Sequence, residues 1–551
     1  MAEQDDHNDQ AEGRERREGG LAVIPSRPEY RDPVLVATLI VAALLLFWSL
    51  DGRYLWQDEA ETALLAKSIL KHGVPIGFDG KNYVSQEASK EFVARSHLPY
   101  FLWRWSPWVQ FYIAAGSFSL LGVNTLAARL PFALLGLLAV YLTYLLALRL
   151  SLSLTIARLS AFYLTVSVPF LLHVRQARWC APAYCIFLCL LLSLEGIRVG
   201  RKYSCVRFVA SGVLLFYTNY FVAIGLLMSI LAAVPFLSTR QIVLRKVFLS
   251  YISVALFVLP GLFLFQVLNK GKPILLSLYL RQFYRYVCDY FTFIMPLPLL
   301  AMLLCLLVMK RRFVETTGAG RRPILFLLAI SVLYLGYLAS GPWVEFRYMT
   351  MLLPIAPILL AVVTTMALRI NVALGVLILT GLFTTDILHR FPLGYIDRAA
   401  TSPADRFPSI GPVRLPLLGF LYELTHHFDA PEYVLARYLN LHARETDVVV
   451  TTYDDLPLQF YTRLRVAGGL EGRKLPETAD WLIKRRWIHS SEPGKDGDVD
   501  TYIAKLLEKS TYTSVPLHKS DHMLGTNPDP KNHLFATPET GPSLILLRRQ
   551  R

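Results

Sequence analysis

The chain has 551 residues, of which 54% are apolar and only 18% charged, and the apolar residues come in long blocks. Blocks of roughly 17–25 apolar residues can cross a hydrocarbon layer of ~30 Å as helices, which excludes an ordinary soluble protein. The net charge of +15 would suit a nucleic-acid binder, but the Lys and Arg residues fall in short loops between apolar blocks. That is the positive-inside distribution of a membrane protein, and it argues against nucleic acid.

Residues 1–33, with the run "AEQDDHNDQAEGRERREGG", have almost nothing to bury and read as a disordered cytoplasmic tail. Val34 to Leu50 lies too far in and is too long for a cleavable signal segment, so it reads as the first span. An exterior loop, 51–125, follows. In it "ETALLAKSILKHG" repeats apolar residues at helical spacing and stops at Gly73. Further on, Trp103, Trp105, Trp108 and Tyr112 in "YFLWRWSPWVQFYIAAGSFSLLG" suit a helix at the membrane–water interface.

With Leu126 to Leu148 as the second span, the loops "ALRLSLSLTIAR", "RVGRKYSCVR", "STRQIVLRK", "MKRRFVETTGAGRR" and "ALRIN" all fall in the cytoplasm. This parity gives a polytopic α-helical membrane protein with about 11 transmembrane helices over residues 34–390. The exterior then receives the loop 51–125, "HVRQARW" at 173–179, the loop 267–290, "GPWVEFRY" at 341–348 and the whole of 391–551. The last reads as a soluble α/β domain: "EYVLARYLNLHA" a helix, "DVVVTTY" a buried strand, "DLPLQFYT" a second helix, "SLILLRR" a last strand.

Cys180, Cys185, Cys189, Cys205, Cys288 and Cys305 lie in or beside apolar segments without metal-ligand spacing, and read as packing residues. His426 and His427 lack further ligands, so no metal site is expected there. Asp454 and Asp455 precede Leu-Pro and read as a helix start. Asp79, Glu87 and Glu91 read as solvated loop charges.

What remains outside is a set of acids in the first loop, Asp58, Glu59 and Glu61, and cations in the later loops. The cations are Arg175 and Arg178, then Lys270, Lys272, Arg281 and Arg285, then Arg347 beside Tyr348. A carboxylate can deprotonate a hydroxyl, and guanidinium or ammonium groups can hold a phosphate as it leaves. Asp58-x-x-Glu61 also reads as a capping box, Asp58 accepting from the helix start and Glu61 reaching back. Arginines at helix ends also snorkel, and the basic loop 267–290 also suits anionic headgroups.

The stretches "QDEAETALLAKSILKHGVP", "LLGVNTLAARLPFALLGLLAVYLTYLLALRL", "HVRQAR" and "FRYMTMLLPIAPILLA", in this order over residues 34–390, resemble the polyprenyl-phosphate-dependent glycosyltransferases of the GT-C fold. That group includes protein O-mannosyltransferases and the lipid A aminoarabinose transferase. The resemblance implies an inverting single displacement. Asp58 would be the general base, Glu59 its partner, and Arg175, Arg178, Arg347 and Tyr348 would lie near the lipid phosphate. It implies no required cofactor and leaves room for a divalent cation at Asp58 and Glu59. The implied partners are a polyprenyl-phosphate-linked sugar and a lipid, glycan or protein acceptor, in the cell inner (plasma) membrane. The chain departs from relatives in lacking an acid in "RWSPWVQ" and in "WCAPAY". Two other classes fit the same cations: a lipid-linked sugar flippase, and an inactive relative that only binds.

Overall fold

The structure is a computed structural model that describes residues 32–84, 101–150, 152–271, 274–309, 314, 320–342, 344–390, 414–468, 476–485, 499–522, 526–538, 541 and 543–550. Most of the expected tail 1–33, together with Glu87, Glu91 and Lys272, lies outside the described residues.

Helix α1 (Pro33–Phe47) starts where Asp32 caps it, accepting from the Val34 N–H at 3.1 Å, with Pro33 in the first turn. A missing N–H costs nothing there. The same carboxylate takes the Arg158 guanidinium and the Tyr144 hydroxyl, so one residue both starts the bundle and ties it together. Helix α2 (Gln57–His72) follows and ends at Gly73 in the left-handed region, φ 76°. Only glycine adopts that conformation at no cost, so the expected stop is met. Helix α3 (Val109–Leu121) has 13 residues, about 20 Å of helix, which is shorter than the hydrocarbon layer.

The bundle continues with α4 (Thr125–Arg149), α5 (Leu154–Thr165), α6 (Val168–Val174), α7 (Cys180–Arg198), α8 (Ser204–Thr218), α9 (Tyr220–Leu237) and α10 (Gln241–Leu264). It is completed by α11 (Leu276–Phe293), α12 (Leu297–Val308), α13 (Arg322–Leu338), α14 (Phe346–Met349), α15 (Ala356–Ile370), α16 (Val372–Thr384) and α17 (Ile387–Arg390). Helix α7 is buried almost all round, and α4, α8 and α6 pack on it. A helix apolar on every side belongs at the centre of such a bundle. Cys180 and Cys185 are buried there, and all six cysteines are free thiols.

Four helices, α4, α7, α9 and α10, are long and apolar enough to cross a membrane, and up to seven spans arise if each bent pair counts once. The bent pairs are α5 with α6 (63°), α11 with α12 (91°), and Phe346–Leu352 with α15 (52°). Five shorter apolar helices, α1, α3, α8, α13 and α16, accompany them. These five have 13–17 residues and fall short of that length, so length and composition alone do not decide the expected count of about eleven.

The C-terminal region contains α18 (Pro416–Thr425), α19 (Pro431–His442), β1 (Val448–Thr451), α20 (Asp455–Tyr461), β2 (Arg465–Gly468), β3 (Trp481–Lys484), α21 (Val499–Lys509), β4 (Tyr512–Val515) and β5 (Ile545–Arg549). The sheet order is β2-β1-β3-β5-β4, with β2, β1 and β3 parallel and β5 antiparallel to both its neighbours. Successive side chains in a strand point to opposite faces. Accordingly Val449, Val466, Trp481 and Ile483 join one core with α19, while Val450, Ala467 and Leu482 join another with Ile503 and Leu506 of α21. Phe420, Leu424 and Leu456 instead belong to the core of the bundle. The sheet domain is therefore rooted in the membrane domain through α18 and α20.

Candidate active site

Three segments far apart in sequence meet at the start of α2. Asp58 and Glu59 stand in its first turn, and the residue before the helix is Trp56, whose side chain makes no cap. The capping-box reading is thereby corrected: Asp58 lies inside the helix, and its carboxylate turns to arginines instead. Arg178, in the bend between α6 and α7, donates through Nη2 to Asp58 Oδ2 at 3.0 Å. Through Nη1 it donates to the Asp58 carbonyl at 2.8 Å and to Glu61 Oε1 at 3.1 Å. Arg347 of α14 donates to the same Oδ2. One carboxylate oxygen thus meets two guanidiniums, while the Asp58 side chain keeps 16% exposure.

Helical geometry explains the division of labour among the acids. Residues three apart share a face, so Asp58 and Glu61 share Arg178, whereas Glu59, about 100° round, points elsewhere. Glu59 is fully buried against Arg129 of α4, which donates Nε to Oε1 at 2.8 Å and Nη2 to Oε2 at 2.6 Å. Its Oε1 also accepts from the Ala177 N–H at 2.9 Å. The two adjacent acids therefore do not converge on one point. Glu61 has one oxygen, Oε2, without a hydrogen-bond partner, and burial pushes its carboxyl up to about 7 against the pull of Arg178.

A cleft lies beside Asp58, with a cavity volume of about 40 Å³ and an opening to solvent. Its walls are Trp56 and Asp58 at the start of α2, His173, Gln176, Arg178, Trp179 and Cys180 around the bend, and Glu345 with Arg347. Asn527, Pro528 and Asp529 of the C-terminal domain close it. Tyr348 stacks on Trp179 at 5.8 Å and lies under the Arg347 guanidinium at 5.6 Å. His173 donates from Nδ1 to the Pro169 carbonyl at 2.7 Å, which leaves Nε2 as an acceptor, buried and without a partner. Asp529, in the domain that closes the cleft, is raised above the usual carboxylate range by burial.

The fold has known counterparts. ArnT from Cupriavidus metallidurans bound to undecaprenyl phosphate is similar over 93% of this chain and 97% of that one, at a TM-score of 0.55 and 14% identity. Its apo state gives a TM-score of 0.50 at 13% identity over the same shares. The chain has the GT-C fold. The oligosaccharyltransferase of Archaeoglobus fulgidus in complex with Zn and sulfate is also matched, at a TM-score of 0.45 and 12% identity over 82% of this chain and 68% of that one. No family model and no curated protein sequence matches.

On this GT-C scaffold the other expected residues separate. Arg175 is turned away from Asp58 and spent on the end of α1: Nη1 donates to the carbonyls of Leu45, Leu46 and Trp48, and Nη2 to that of Ser49. Lys270 lies between Trp105 and Tyr220, 4.9 Å from each ring, donating to the Trp105 carbonyl and the Tyr220 hydroxyl. Burial brings its ammonium down to about 7. Arg281 and Arg285 are exposed on α11 and do not line the cleft. Asp455 starts α20 as expected, and its carboxylate accepts from Gln57 Nε2 at 2.7 Å. Asp454, at φ 60°, is buried with Arg485, which also holds Asp521.

Sequence reasoning gave no role to Arg129, His173, Trp179, Glu345 or the segment Asn527–Asp529. Arg129 carried a signal: an arginine in the first turns of an apolar helix needs a buried acid, and the neighbouring first loop offers several. The closing segment carried none.

Proposed function

We propose that the chain is a membrane glycosyltransferase that moves a sugar from a polyprenyl-phosphate donor to an acceptor hydroxyl or phosphate at the outer face of the inner (plasma) membrane, with inversion. In this reading the N-terminus is cytoplasmic and the C-terminal domain exterior. The observation that carries it is Asp58 Oδ2 shared by Arg178 and Arg347 in a cleft at one end of the bundle. The likeness to ArnT, crystallised with undecaprenyl phosphate, supports the donor class.

The chemistry follows from competition for those arginines. A lipid phosphate entering the cleft claims Arg347 and Arg178, and charge-assisted bonds to phosphate are strong enough to displace those to Asp58. Released from the guanidiniums, Asp58 takes the proton of the acceptor as its oxygen attacks the anomeric carbon. The carbon–oxygen bond to the phosphate breaks, and its electron pair leaves on an oxygen that the two arginines neutralise. His173 Nε2 accepts from a sugar hydroxyl, and Tyr348 with Trp179 offers the sugar ring a flat apolar face. An open apolar groove of about 490 Å³, lined by Trp108, Tyr112, Tyr217 and Phe265, suits the isoprenoid chain. Ring contacts run from Phe265 of the groove through Tyr217 and Phe216 to Tyr220, and a separate one joins Phe221 to Tyr348 next to Arg347.

A divalent cation, if used, meets Asp58 without Glu59, because the Glu59 oxygens are taken by Arg129 and Ala177. Among the described residues no three His, Cys, Asp or Glu side chains form a metal-binding group.

The test uses purified protein in lipid with a panel of polyprenyl-phosphate sugars, following release of free polyprenyl phosphate with and without chelator. Release that Asp58→Asn reduces while lipid binding stays intact is the expected result. Release unaffected by the substitution, or lipid binding without release from any donor, overturns the reading and favours a flippase or a binding protein.

A further inference from the structure

Behind the cleft lies a second chamber, a cavity of about 50 Å³ that is partly open to solvent. Gln176 is a wall of both, and the hydrogen bond from Trp56 Nε1 to Gln176 Oε1, 2.9 Å, closes the partition. Arg53, Arg129 and Arg175 line the chamber, with Glu423 as its acid.

The three guanidiniums are unequally satisfied. Arg129 is neutralised by the bidentate pair with Glu59. Arg175 gives its hydrogen bonds to backbone carbonyls, which orient it, and only the carboxylates Glu423 and Glu59, both held by other partners, act on its charge. Arg53 donates Nη2 to the Leu534 carbonyl, lies 4.0 Å over the Phe428 ring and meets Glu423 only through Nε at 3.4 Å. Its Nη1 has no hydrogen-bond partner, although the side chain is only 11% exposed. Glu423 is shared further with His533 Nε2 at 2.7 Å. Burial, then the neighbouring guanidinium of Arg129, lowers the Arg53 pKa; burial brings Arg175 down to about 10.

A buried donor without an acceptor, beside a second cation whose carboxylates are held by other partners, is costly unless something fills the space. We propose that the chamber is a second anion site, separate from the Asp58 cleft, and that it takes a phosphate group held by Arg53 and Arg175. Guanidinium forks match phosphate oxygens. Of the two carboxyls that act on Arg53, Glu423 is held ionised and Glu432, bonded to Thr526 of the wall, is pushed up to about 7 by burial, so below that pH two cations face one anion. Free phosphate and the phosphate of an anionic lipid headgroup offer the same chemistry. Binding is read without turnover, so the proposal stands or falls apart from glycosyl transfer.

The experiment uses the full chain in maltoside micelles, which carry no phosphate, titrated with inorganic phosphate by calorimetry. Arg53→Gln is expected to weaken binding roughly ten-fold or more, the loss of a charged hydrogen bond, while Arg347→Gln, in the cleft, leaves it in place. His426→Glu puts a carboxylate on an exposed residue at the chamber wall. It is expected to weaken binding by repulsion even if Arg53→Gln fails to fold. The source is read in nanodiscs of phosphatidylcholine with phosphatidylglycerol. If a headgroup fills the chamber, the phosphate titration disappears there, and native mass spectrometry finds phosphatidylglycerol retained by wild type and lost from His426→Glu. If the titration persists, the ligand is soluble. Phosphate binding that only Arg347→Gln removes overturns the proposal. So does the absence of both phosphate binding in micelles and lipid retention in discs.

Discussion

Asp58 and Glu59 are neighbours in sequence, yet the structure puts them in opposite situations. Glu59 is fully buried, with both oxygens held by one bidentate arginine and a backbone N–H, all of them fixed partners. Asp58 is partly open, and two arginines crowd onto one of its oxygens beside a cleft. A carboxylate whose partners are fixed and complete has nothing left to offer a substrate. One whose arginines can be claimed by an incoming phosphate has a second state available. On the proposed reading, access and exchangeability of partners, more than residue type or charge, separate the chemical acid from the structural one.

Exchanging the two acids for their amides should therefore give opposite phenotypes. Asp58→Asn is expected to cut turnover by about 10²–10⁴, the usual worth of a positioned base, with little change in thermal stability. Glu59→Gln leaves Arg129 buried without its counter-charge, which typically costs about 3–5 kcal/mol. It should appear as a large loss of melting temperature in detergent, with the residual folded enzyme still active. If Asp58→Asn destabilises and Glu59→Gln inactivates without unfolding, the assignment is reversed. A third substitution tests the link that holds the sheet domain over the cleft. Asp455→Ala leaves buried Gln57 Nε2 without its acceptor, at about 1–3 kcal/mol. Limited proteolysis should then release the C-terminal domain at lower protease concentration, and unchanged resistance would show that the apolar contacts of α18 and α20 suffice alone.

The same contrast marks what could be read beforehand. Apolar block lengths, the Gly73 stop, the strand "DVVVTTY" and the helix start at Asp455 are set by local patterns, and all are visible in sequence. Asp58, Arg178 and Arg347 could be nominated because arginines at helix ends that the loop charges assign to the exterior run against the usual placement of cations, and the first loop supplies acids to meet them. The partners could not be assigned. Arg175 and Arg178 are three residues apart in one motif, but the bend after α6 sends the first to the α1 carbonyls and the second to Asp58. The angle of that bend is a packing outcome, and no spacing encodes it. Asn527–Asp529 reaches the cleft from more than 450 residues away in the chain. Only the docking of a whole domain determines such a contact. The count of spans is open in the same way, because five apolar helices are short and three pairs bend within a few residues.

The finest test concerns Glu61, which shares Arg178 with Asp58 but has one oxygen unpartnered. Burial raises its carboxyl from the ordinary 4.5 to about 7. Between these values the folded protein holds a proton that the unfolded chain has released. Its contribution to stability is thus full below about 4.5 and is lost as pH rises through about 7. The charge also matters to the cleft. Below pH 7 Glu61 is neutral and Arg178 faces Asp58, or an incoming phosphate, with its whole charge. Above pH 7 the ionised Glu61 competes for Arg178 and adds a negative charge near the phosphate. The apparent KM for the lipid donor should therefore rise several-fold between pH 6 and 8 in wild type and stay flat in Glu61→Gln, with kcat little altered in both. A wild-type profile that Glu61→Gln leaves unchanged would assign the titration to another group and place Glu61 with Glu59, on the structural side of the divide.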